Sequence, residues 1–305
     1  MKFHSRRSFI KSSATVSAAA FFSSFLIPKF LKANFLGTPD IVSIPGNNPK
    51  VDIPRLLESL GGIEKFIKKG DSVGFLINSP WVHPGYYTNP DVVLIMMEMC
   101  KKAGADELIC FKPAREGYWE SSQYYEEMKD LIDEITYSED RIEVDIPNGF
   151  ELKSAVVYKD LKDVDVFINI PVAKHHNGTL FSGILKNLMG ASDRETNRYM
   201  HSPSDEYTYG KQEYLSTCIA DLNLIRLPDL SIIDAIECGL ENGPRGPGNT
   251  TQPNKILAGT KALTLDMYSA KLIGIDPDDI VMFKKAADHK IGDYGIDDNK
   301  ILILE

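Results

Sequence analysis

Apolar and polar residues alternate with two different periods along the chain. Short apolar runs that predict buried strands cover Ser72–Ile77, Glu107–Lys112 and Val164–Ile170. Between them, a helical period covers Pro90–Ala103, with Gly104 as the expected end of that helix. Strands that alternate with helices are typical of an α/β fold with a largely parallel sheet.

The same pattern continues to the end of the chain. It predicts an α/β fold with a largely parallel or mixed sheet flanked by helices, built as one domain or as two α/β lobes. The further predicted strands are Ile142–Ile146, Leu230–Asp234, Lys255–Leu257 and Ile301–Leu304, and the further predicted helices are Ser121–Ile135, Thr179–Met189, Lys211–Ile225, Asp266–Ile273 and Pro277–Asp288.

The N-terminus has the pattern of an export signal. Residues 5–11 read SRRSFIK, and an apolar run rich in Ala and Ser follows from Ala14 to Ile27. This combination is typical of a twin-arginine signal peptide, and an amphipathic N-terminal arm is the alternative. The run is shorter than the roughly 20 apolar residues that span a bilayer, so we expect no stable membrane anchor.

We therefore expect a twin-arginine signal peptide at residues 1–33 and a single α/β domain at residues 34–305. The twin-arginine translocase would be a partner, and the mature protein would act in the periplasm or outside the cell. The cleavage site stays open, because Leu31 is larger than the residue preferred three positions before a cut after Ala33.

The charge of the chain excludes one class of partner. The formal net charge is −9, and residues 1–33 contain six basic and no acidic residues, so a product starting at Asn34 would have a charge of −15. Such a protein is repelled by phosphate backbones, which argues against nucleic-acid binding. A small anionic ligand would need a local basic patch.

Cysteine spacing excludes one class of cofactor. The four cysteines, Cys100, Cys110, Cys218 and Cys238, form no Cys-x-x-Cys motif, so we expect no iron–sulfur cluster held by this chain. Cys100 and Cys110 lie in apolar stretches, so we expect them to be small core residues rather than disulfide partners. Export still permits disulfides, and the sequence does not choose among the three possible pairings.

The segment Pro171–Gly190, PVAKHHNGTLFSGILKNLMG, contains the densest group of polar side chains. Functional residues of open α/β sheets gather after the carboxyl ends of strands, and the amides of a helix beginning near Ser182 would favour an anion. Alternatively, the lysines are solvated and one His packs in the core. The candidates are His176, Lys186 and His175 for catalysis, and Lys174, Asn177, Gly183 and Asn187 for ligand binding.

Two downstream positions are further candidates. His201 lies in a polar, loop-like stretch, where a His has a ligand or acid–base role as readily as a surface one. Arg245 lies in the Gly-rich run Glu241–Gly248, which is either a surface turn or a loop that presents this guanidinium to a carboxylate. Asp234, at the end of a predicted strand, could orient a His, hold a metal or cap the next segment.

Over roughly residues 70–290 the chain resembles the domain of unknown function 362 family. The matching motifs are TNPDVV with KKAGADEL, DVFINIPVAKHH with LKNLMG, IIDAIECGLENGPRGPG and LDMYSAKLIGID, in the family's order. Many members carry ferredoxin-type cysteine repeats. This chain lacks them, so any electron transfer would need a separate redox partner.

A more distant similarity, to nickel-pincer lactate racemase, rests on spacing. There a His is followed ten residues later by the Lys that tethers the cofactor, and a metal-binding His lies farther on. Here His176 and Lys186 are ten apart, Gly183 lies between them, and His201 follows Lys186 by fifteen. One glycine of the expected pair and a second catalytic His are not matched. The similarity implies a metal at His201 and hydride transfer from a 2-hydroxy acid, with a His taking the hydroxyl proton.

These patterns predict an exported protein that binds a small anion, and an enzyme acting on a small carboxylate by proton or hydride transfer with a bound metal or prosthetic group. The rival interpretation is a non-catalytic periplasmic ligand-binding or cofactor-delivery protein that uses the same residues.

Overall fold

A computed structural model describes residues 38–201 and 209–305, so the predicted signal at residues 1–33 lies outside the described residues. The strands are β1 (Ile41–Pro45), β2 (Ser72–Ile77), β3 (Glu107–Cys110), β4 (Thr136–Tyr137), β5 (Arg141–Asp145), β6 (Ser154–Tyr158), β7 (Val166–Ile170), β8 (Lys174–His176), β9 (Leu180–Ser182), β10 (Leu230–Ala235), β11 (Cys238–Gly239), β12 (Thr250–Thr251), β13 (Lys255–Gly259) and β14 (Ile301–Ile303).

Helices flank the sheet on both faces. Within the described residues they are α1 (Pro49–Ser59), α2 (Pro90–Ala103), α3 (Lys129–Asp133), α4 (Asp160–Asp163), α5 (Ile184–Asn187), α6 (Arg194–His201), α7 (Tyr209–Asn223), α8 (Ala262–Leu272) and α9 (Val281–Asp288). None of these helices is long and apolar enough to cross a membrane.

One eight-stranded sheet has the order β14-β1-β13-β10-β7-β2-β3-β4. Strand β7 is central and pairs in parallel with β2 and β10. Strand β13 runs antiparallel to both β1 and β10, and the remaining neighbours are parallel. The predicted α/β fold with a largely parallel, mixed sheet is therefore confirmed.

The core lies on both faces of this sheet, which explains the unbroken apolar run of β7. All five residues of β7 are buried. Phe167 packs into the cluster that contains apolar residues of α7, α8 and α9, whereas Ile168 packs into the cluster formed with α1 and α2. Successive side chains point to opposite faces, so a strand covered on both sides needs apolar residues throughout. All four cysteines are buried thiols without a disulfide.

The predicted helix Ser121–Ile135 is wrong over most of its length, since only α3 and a 3₁₀ turn, Trp119–Ser121, form there. The carboxylate of Asp91 accepts hydrogen bonds from the Ser122 hydroxyl and from the Gln123 backbone N–H. Side chains that bind backbone groups in this way compete with helix formation. The predicted strand Ile142–Ile146 forms as β5, but it pairs with β6 outside the central sheet.

Candidate functional site

A cavity of about 660 Å³ opens beyond the carboxyl ends of β2, β3 and β7. Segments that follow these strands line it, as expected for an open α/β sheet. No Asp or Glu is present among the described residues that line the cavity. Its basic and imidazole side chains are Lys112, Lys174, His176, Lys186, His201, Lys211 and Arg245.

The structure places most of the predicted site residues on this cavity. Lys174, His176, Asn177, Lys186, Asn187, His201 and Arg245 line it. His175 and Gly183 do not. The segment that contains them folds differently from the predicted helix Thr179–Met189: β8 and β9 form a hairpin in which Lys174 pairs with Ser182, and α5 begins only at Ile184.

Lys174 is a buried cation held by neutral oxygens. Its side chain has no exposed surface, and its Nζ donates to Asn78 Oδ1 at 3.0 Å and to the carbonyl oxygens of Tyr86 at 2.5 Å and Pro244 at 3.2 Å. Burial lowers its pKa well below the ordinary value, and the nearby charge of Lys186 lowers it further. Three accepting oxygens match the three protons of an ammonium group. Lys174 thus acts on the cavity through its charge rather than by direct contact.

A chain of amides forms the floor below Lys174. Asn78 donates to Asn187 Oδ1 at 3.2 Å, and Asn187 donates to Asn169 Oδ1 at 2.8 Å and to the carbonyl oxygen of Leu76 at 3.2 Å. These bonds use both amide protons and the oxygen of Asn187. Its predicted ligand-binding role is thereby reduced to a supporting one, because a satisfied buried network mainly fixes geometry.

His176 is a neutral ring in a defined tautomer. Its Nδ1 accepts the backbone N–H of Gly178 at 2.9 Å, and only 5% of the residue is exposed. Burial lowers the pKa of His176 well below 6.5, and the charges of Lys186 and His201 lower it further. A neutral imidazole with an accepting Nδ1 has its proton on Nε2. His176 can therefore donate a hydrogen bond to an anion, but in this state it is not a base.

His201 has the opposite arrangement. It is the last residue of α6 rather than part of a loop, and its Nδ1 lies 2.8 Å from the carbonyl oxygen of Asn197. A carbonyl oxygen only accepts, so Nδ1 of His201 carries a proton. Helix α6 could have been predicted, since Asp193 caps it by accepting the N–H of Thr196 at 2.8 Å.

Lys186 reaches the cavity from α5. The residue is 8% exposed, and its Nζ lies 3.4 Å from the sulfur of Met189. The start of α5 is fixed by Asp266 of α8, whose carboxylate accepts the N–H groups of Ile184 at 2.6 Å and Leu185 at 2.9 Å. The helix amides that the sequence offered to an anion are therefore already occupied by this carboxylate.

Gly183 and His175 have structural positions. A Cβ added to Gly183 would lie 2.2 Å from Asp266 Oδ1, so the glycine makes room for the carboxylate. The backbone of His175 leaves similarly little room for Gly243, where an added Cβ would lie 1.8 Å from the carbonyl oxygen of His175. This close contact packs the Gly-rich loop against the β8–β9 hairpin.

The Gly-rich loop encloses Tyr86 and presents Arg245. Cβ atoms added at Gly239, Gly246 or Gly248 would lie 2.3–2.8 Å from atoms of the Tyr86 side chain, which is fully buried. The guanidinium of Arg245 lies 5.3 Å from the centre of the Trp81 ring, within cation–π distance. The glycines thus serve close packing, and Arg245 and Trp81 stand together at the cavity.

Comparisons with known proteins place the chain in a family. The model of the family described as domain of unknown function (DUF362) matches residues 77–271. The chain belongs to the DUF362 family.

Two further similarities were found. A thylakoid-associated protein of Synechocystis sp. is 27% identical over 231 residues, which cover 73% of this chain and 69% of that protein. The lactate racemase apoprotein of Thermoanaerobacterium thermosaccharolyticum superposes with a TM-score of 0.41 at 13% identity, covering 75% of this chain and 56% of the other. This chain thus spans little more than half of that enzyme.

Two DUF362 motifs take on local roles in the structure. Asn89 caps α2 by accepting the N–H of Asp91 at 2.9 Å, and Asp234 accepts the N–H of Asn89 at 2.7 Å and that of Ile236 at 3.0 Å. Burial raises the pKa of Asp234 to about 6. Of the roles left open for Asp234, the structure thus shows the capping one.

A bare divalent metal ion does not fit the described part of this DUF362 protein. No group of three or more His, Cys, Asp or Glu side chains that could hold a metal ion exists within residues 38–201 and 209–305. The described lining of the cavity is instead cationic, which repels a metal ion and attracts an anion.

Sequence reasoning missed Lys112, Lys211 and Trp81 as cavity residues. Lys112 follows β3 and Trp81 follows β2, so the rule that sites lie after strand ends could have found both. Lys211 lies in α7, and the sequence gives no sign that this helix reaches the cavity.

Proposed function

We propose that this DUF362 protein is exported through the twin-arginine route and binds a small carboxylate-bearing anion in the basic cavity. The observation that supports binding is the charge of the cavity: five Lys and Arg residues and no acidic residue among its described lining, in a chain of net charge −9. A local group of basic side chains attracts an anion even where the overall charge of the chain is negative.

The inner part of the cavity supplies the groups that would hold a carboxylate. Lys186 and the Nε2–H of His176 offer charge-assisted hydrogen bonds, and Lys174 adds its charge from behind. Since Lys174 already donates to three protein oxygens, we assign direct contact to Lys186 and His176.

The leading form of the proposal is an enzyme that transfers a proton or hydride on this carboxylate. In this form His176 donates a hydrogen bond to the ligand, and a neutral His201 ring, whose Nδ1 donates to the carbonyl oxygen of Asn197, would accept the proton of a hydroxyl or of a carbon acid. In this assignment the base is His201, which the sequence offered as a metal ligand, and the catalytic candidate His176 is a hydrogen-bond donor.

A prosthetic group that brings its own metal ligands would need only an attachment point and one protein ligand. In this alternative Lys186 would hold the group and His201 would be its protein ligand instead of the base, because a metal-ligating His normally donates its other ring N–H to an oxygen acceptor, as Nδ1 does to Asn197. When bound, the group would supply a hydride acceptor. Lys186 and His201 both line the cavity.

A non-catalytic carrier is the second candidate. The observation in its favour is that Lys174, His175 and Asn187, three of the residues expected to act on a ligand, are engaged in holding the loop, the hairpin and the floor together. A carrier needs a fixed anion pocket and no base.

Binding can be tested with the two tryptophans of the chain, since Trp81 lines the cavity and Trp119 does not. In a W119F protein, lactate and inorganic phosphate should change the Trp81 fluorescence saturably. K186Q should weaken this binding by about ten-fold or more, as expected for loss of a charge-assisted bond. The matched control K284Q, at an exposed Lys of α9, should leave binding unchanged. A lack of saturable binding by any anion would refute the proposal.

Two experiments distinguish an enzyme from a non-catalytic carrier. Protein recovered from its native export route is analysed by intact mass spectrometry for a group on Lys186 and by elemental analysis for a metal. The same protein is then incubated with 2-hydroxy acids in deuterated water. Solvent deuterium at the α-carbon, or inversion of that centre, supports the enzyme and should be lost in H201Q. Saturable binding without either change supports the carrier.

A further inference from the structure

The cations of the cavity differ in depth. Lys174 and Lys186 are 0% and 8% exposed and form an inner group. Lys112 and Arg245 are exposed and form a rim group, although they line the same cavity. A cavity that needed to neutralise one carboxylate would require only one of these groups.

One lysine of each group follows a strand of the central sheet, and these two strands are not neighbours. Lys186 belongs to the segment that follows β7, and Lys112 follows β3. Strand β2 lies between β7 and β3, so at about 4.8 Å per strand the two exits are about 10 Å apart. A ligand with an anionic group at each end therefore suits lysines that follow both exits.

The rim cation Arg245 is held in place rather than loosely solvated. Its guanidinium stands over the ring of Trp81, and the carbonyl oxygen of Trp81 accepts the Nε–H of Arg115 at 2.8 Å. The loop of Arg245 is fixed from the other side, since Pro244 accepts a bond from Lys174. A guanidinium fixed in this way is suited to bind a second carboxylate or phosphate bidentately.

The volume agrees with a ligand longer than a simple hydroxy acid. The cavity measures about 660 Å³, within the range of roughly 300–1,000 Å³ found for sites that enclose drug-sized molecules.

We propose that the ligand is an extended organic dianion, with one carboxylate at the inner Lys186 group and a second anionic group, carboxylate or phosphate, at the rim beside Arg245 and Lys112. This inference rests on the proposed function and specifies its ligand class.

The test compares ligands that differ in one end only. Dicarboxylates from succinate to pimelate are titrated against W119F protein by Trp81 fluorescence, and against the unaltered protein by calorimetry, beside monocarboxylates of the same length. Phosphoglycolate and 3-phosphoglycerate form a third arm. We expect the dianion of best length to bind about ten-fold more tightly than its monoanionic partner, as one additional charge-assisted contact provides.

Rim variants identify where the second charge lies. The double variant K112Q/R245Q should bind dianions no more tightly than monoanions of the same length. The control K68Q/K284Q removes the same charge from exposed positions and should keep the dianion preference.

Each outcome is decisive. A preference for phosphorylated acids over dicarboxylates that the rim variant abolishes supports the inference and identifies the second group as phosphate. Equal binding of monoanions and dianions at every length, or a preference that survives in K112Q/R245Q, overturns the inference while the proposed function stands. A lack of saturable binding by any anion refutes the proposed function itself.

Discussion

The carboxylate of Asp266 accepts the backbone N–H of Ile184 at 2.6 Å. This bond joins α8 to the first turn of α5, the helix that carries Lys186 into the cavity. Asp266 is fully buried, and burial raises its pKa to about 7 although its two backbone hydrogen bonds oppose the shift. The position of Lys186 therefore depends on a carboxyl group that titrates near neutral pH.

This pKa predicts a specific pH dependence of stability. An unfolded Asp titrates near pH ~3.9, so between about pH 4 and pH 7 this group binds more protons in the native protein than in the unfolded chain, and its contribution to stability falls as the pH rises through that window. Relative to D266N, the original protein should lose a few kcal/mol of unfolding free energy across this range, at about 1.4 kcal/mol per pKa unit. Urea unfolding at several pH values measures the difference, and parallel profiles for the two proteins would contradict the assignment.

A methyl group at Gly183 should displace the same carboxylate. An added Cβ would lie 2.2 Å from Asp266 Oδ1 and 2.7 Å from the ring of Phe181. G183A should therefore be destabilised by about 1–3 kcal/mol, as for other overpacked sites, and should also lose anion affinity. The control is G190A, whose Cβ would meet Leu76 at 3.4 Å. It should be neutral or stabilising by up to about 1 kcal/mol. Equal stability of the two variants would rule out the packing argument.

The elements that the sequence predicted well are those whose pattern depends on local signals and burial. Helix α2 was predicted to the residue, because Pro90 begins it and Gly104, at a φ of 103°, ends it. Strand β7 was predicted because a strand buried on both faces is apolar throughout. Both signals are present within the element itself.

The elements that the sequence predicted poorly depend on distant side chains. The start of α5 is set by Asp266, 82 residues away along the chain, and the turns after Trp119 are set by Asp91. The candidate site residues show the same difference between positions with a local sequence signal and positions that depend on distant residues. Lys174 and His176, which follow a strand end, line the cavity as predicted, but Tyr86 and Pro244, whose carbonyl oxygens hold Lys174 in place, carry no local signal.

The proposed export gives a prediction that is independent of the cavity. The Arg6–Arg7 pair precedes an apolar run too short for a stable span, which is the pattern that the twin-arginine translocase reads. R6K/R7K should keep a full-length precursor inside the cell, whereas R194K/R198K, which changes two arginines of α6, should be exported. Fractionation and mass measurement of the cleaved chain distinguish the two, and normal export of R6K/R7K would refute the assignment.

The tautomers of the two cavity histidines can be read directly by NMR. Protonated and unprotonated ring nitrogens have well-separated ¹⁵N shifts. His176 should show a protonated Nε2 and an unprotonated Nδ1, because Nδ1 accepts the N–H of Gly178. Since its pKa lies well below 6.5, this pattern should not change between about pH 8 and about pH 6. His201 should show a protonated Nδ1, because that atom donates to the carbonyl of Asn197. H176N and H201Q assign the signals.

Two variants, H176N and H176Q, distinguish a hydrogen-bond donor from a general base at His176. Asn can place its amide oxygen near the position of Nδ1 and keep the bond from Gly178, but it has no group at the position of Nε2. H176N should therefore fold normally and bind anions more weakly by about three- to ten-fold, the loss of one hydrogen bond. H176Q, whose amide nitrogen reaches the Nε2 position, should regain part of that affinity. If His176 were the base, neither variant would restore turnover, and its Nε2 would be the unprotonated nitrogen in the spectrum. An unprotonated Nε2 on His176 would therefore return the role of base to that residue and remove it from His201.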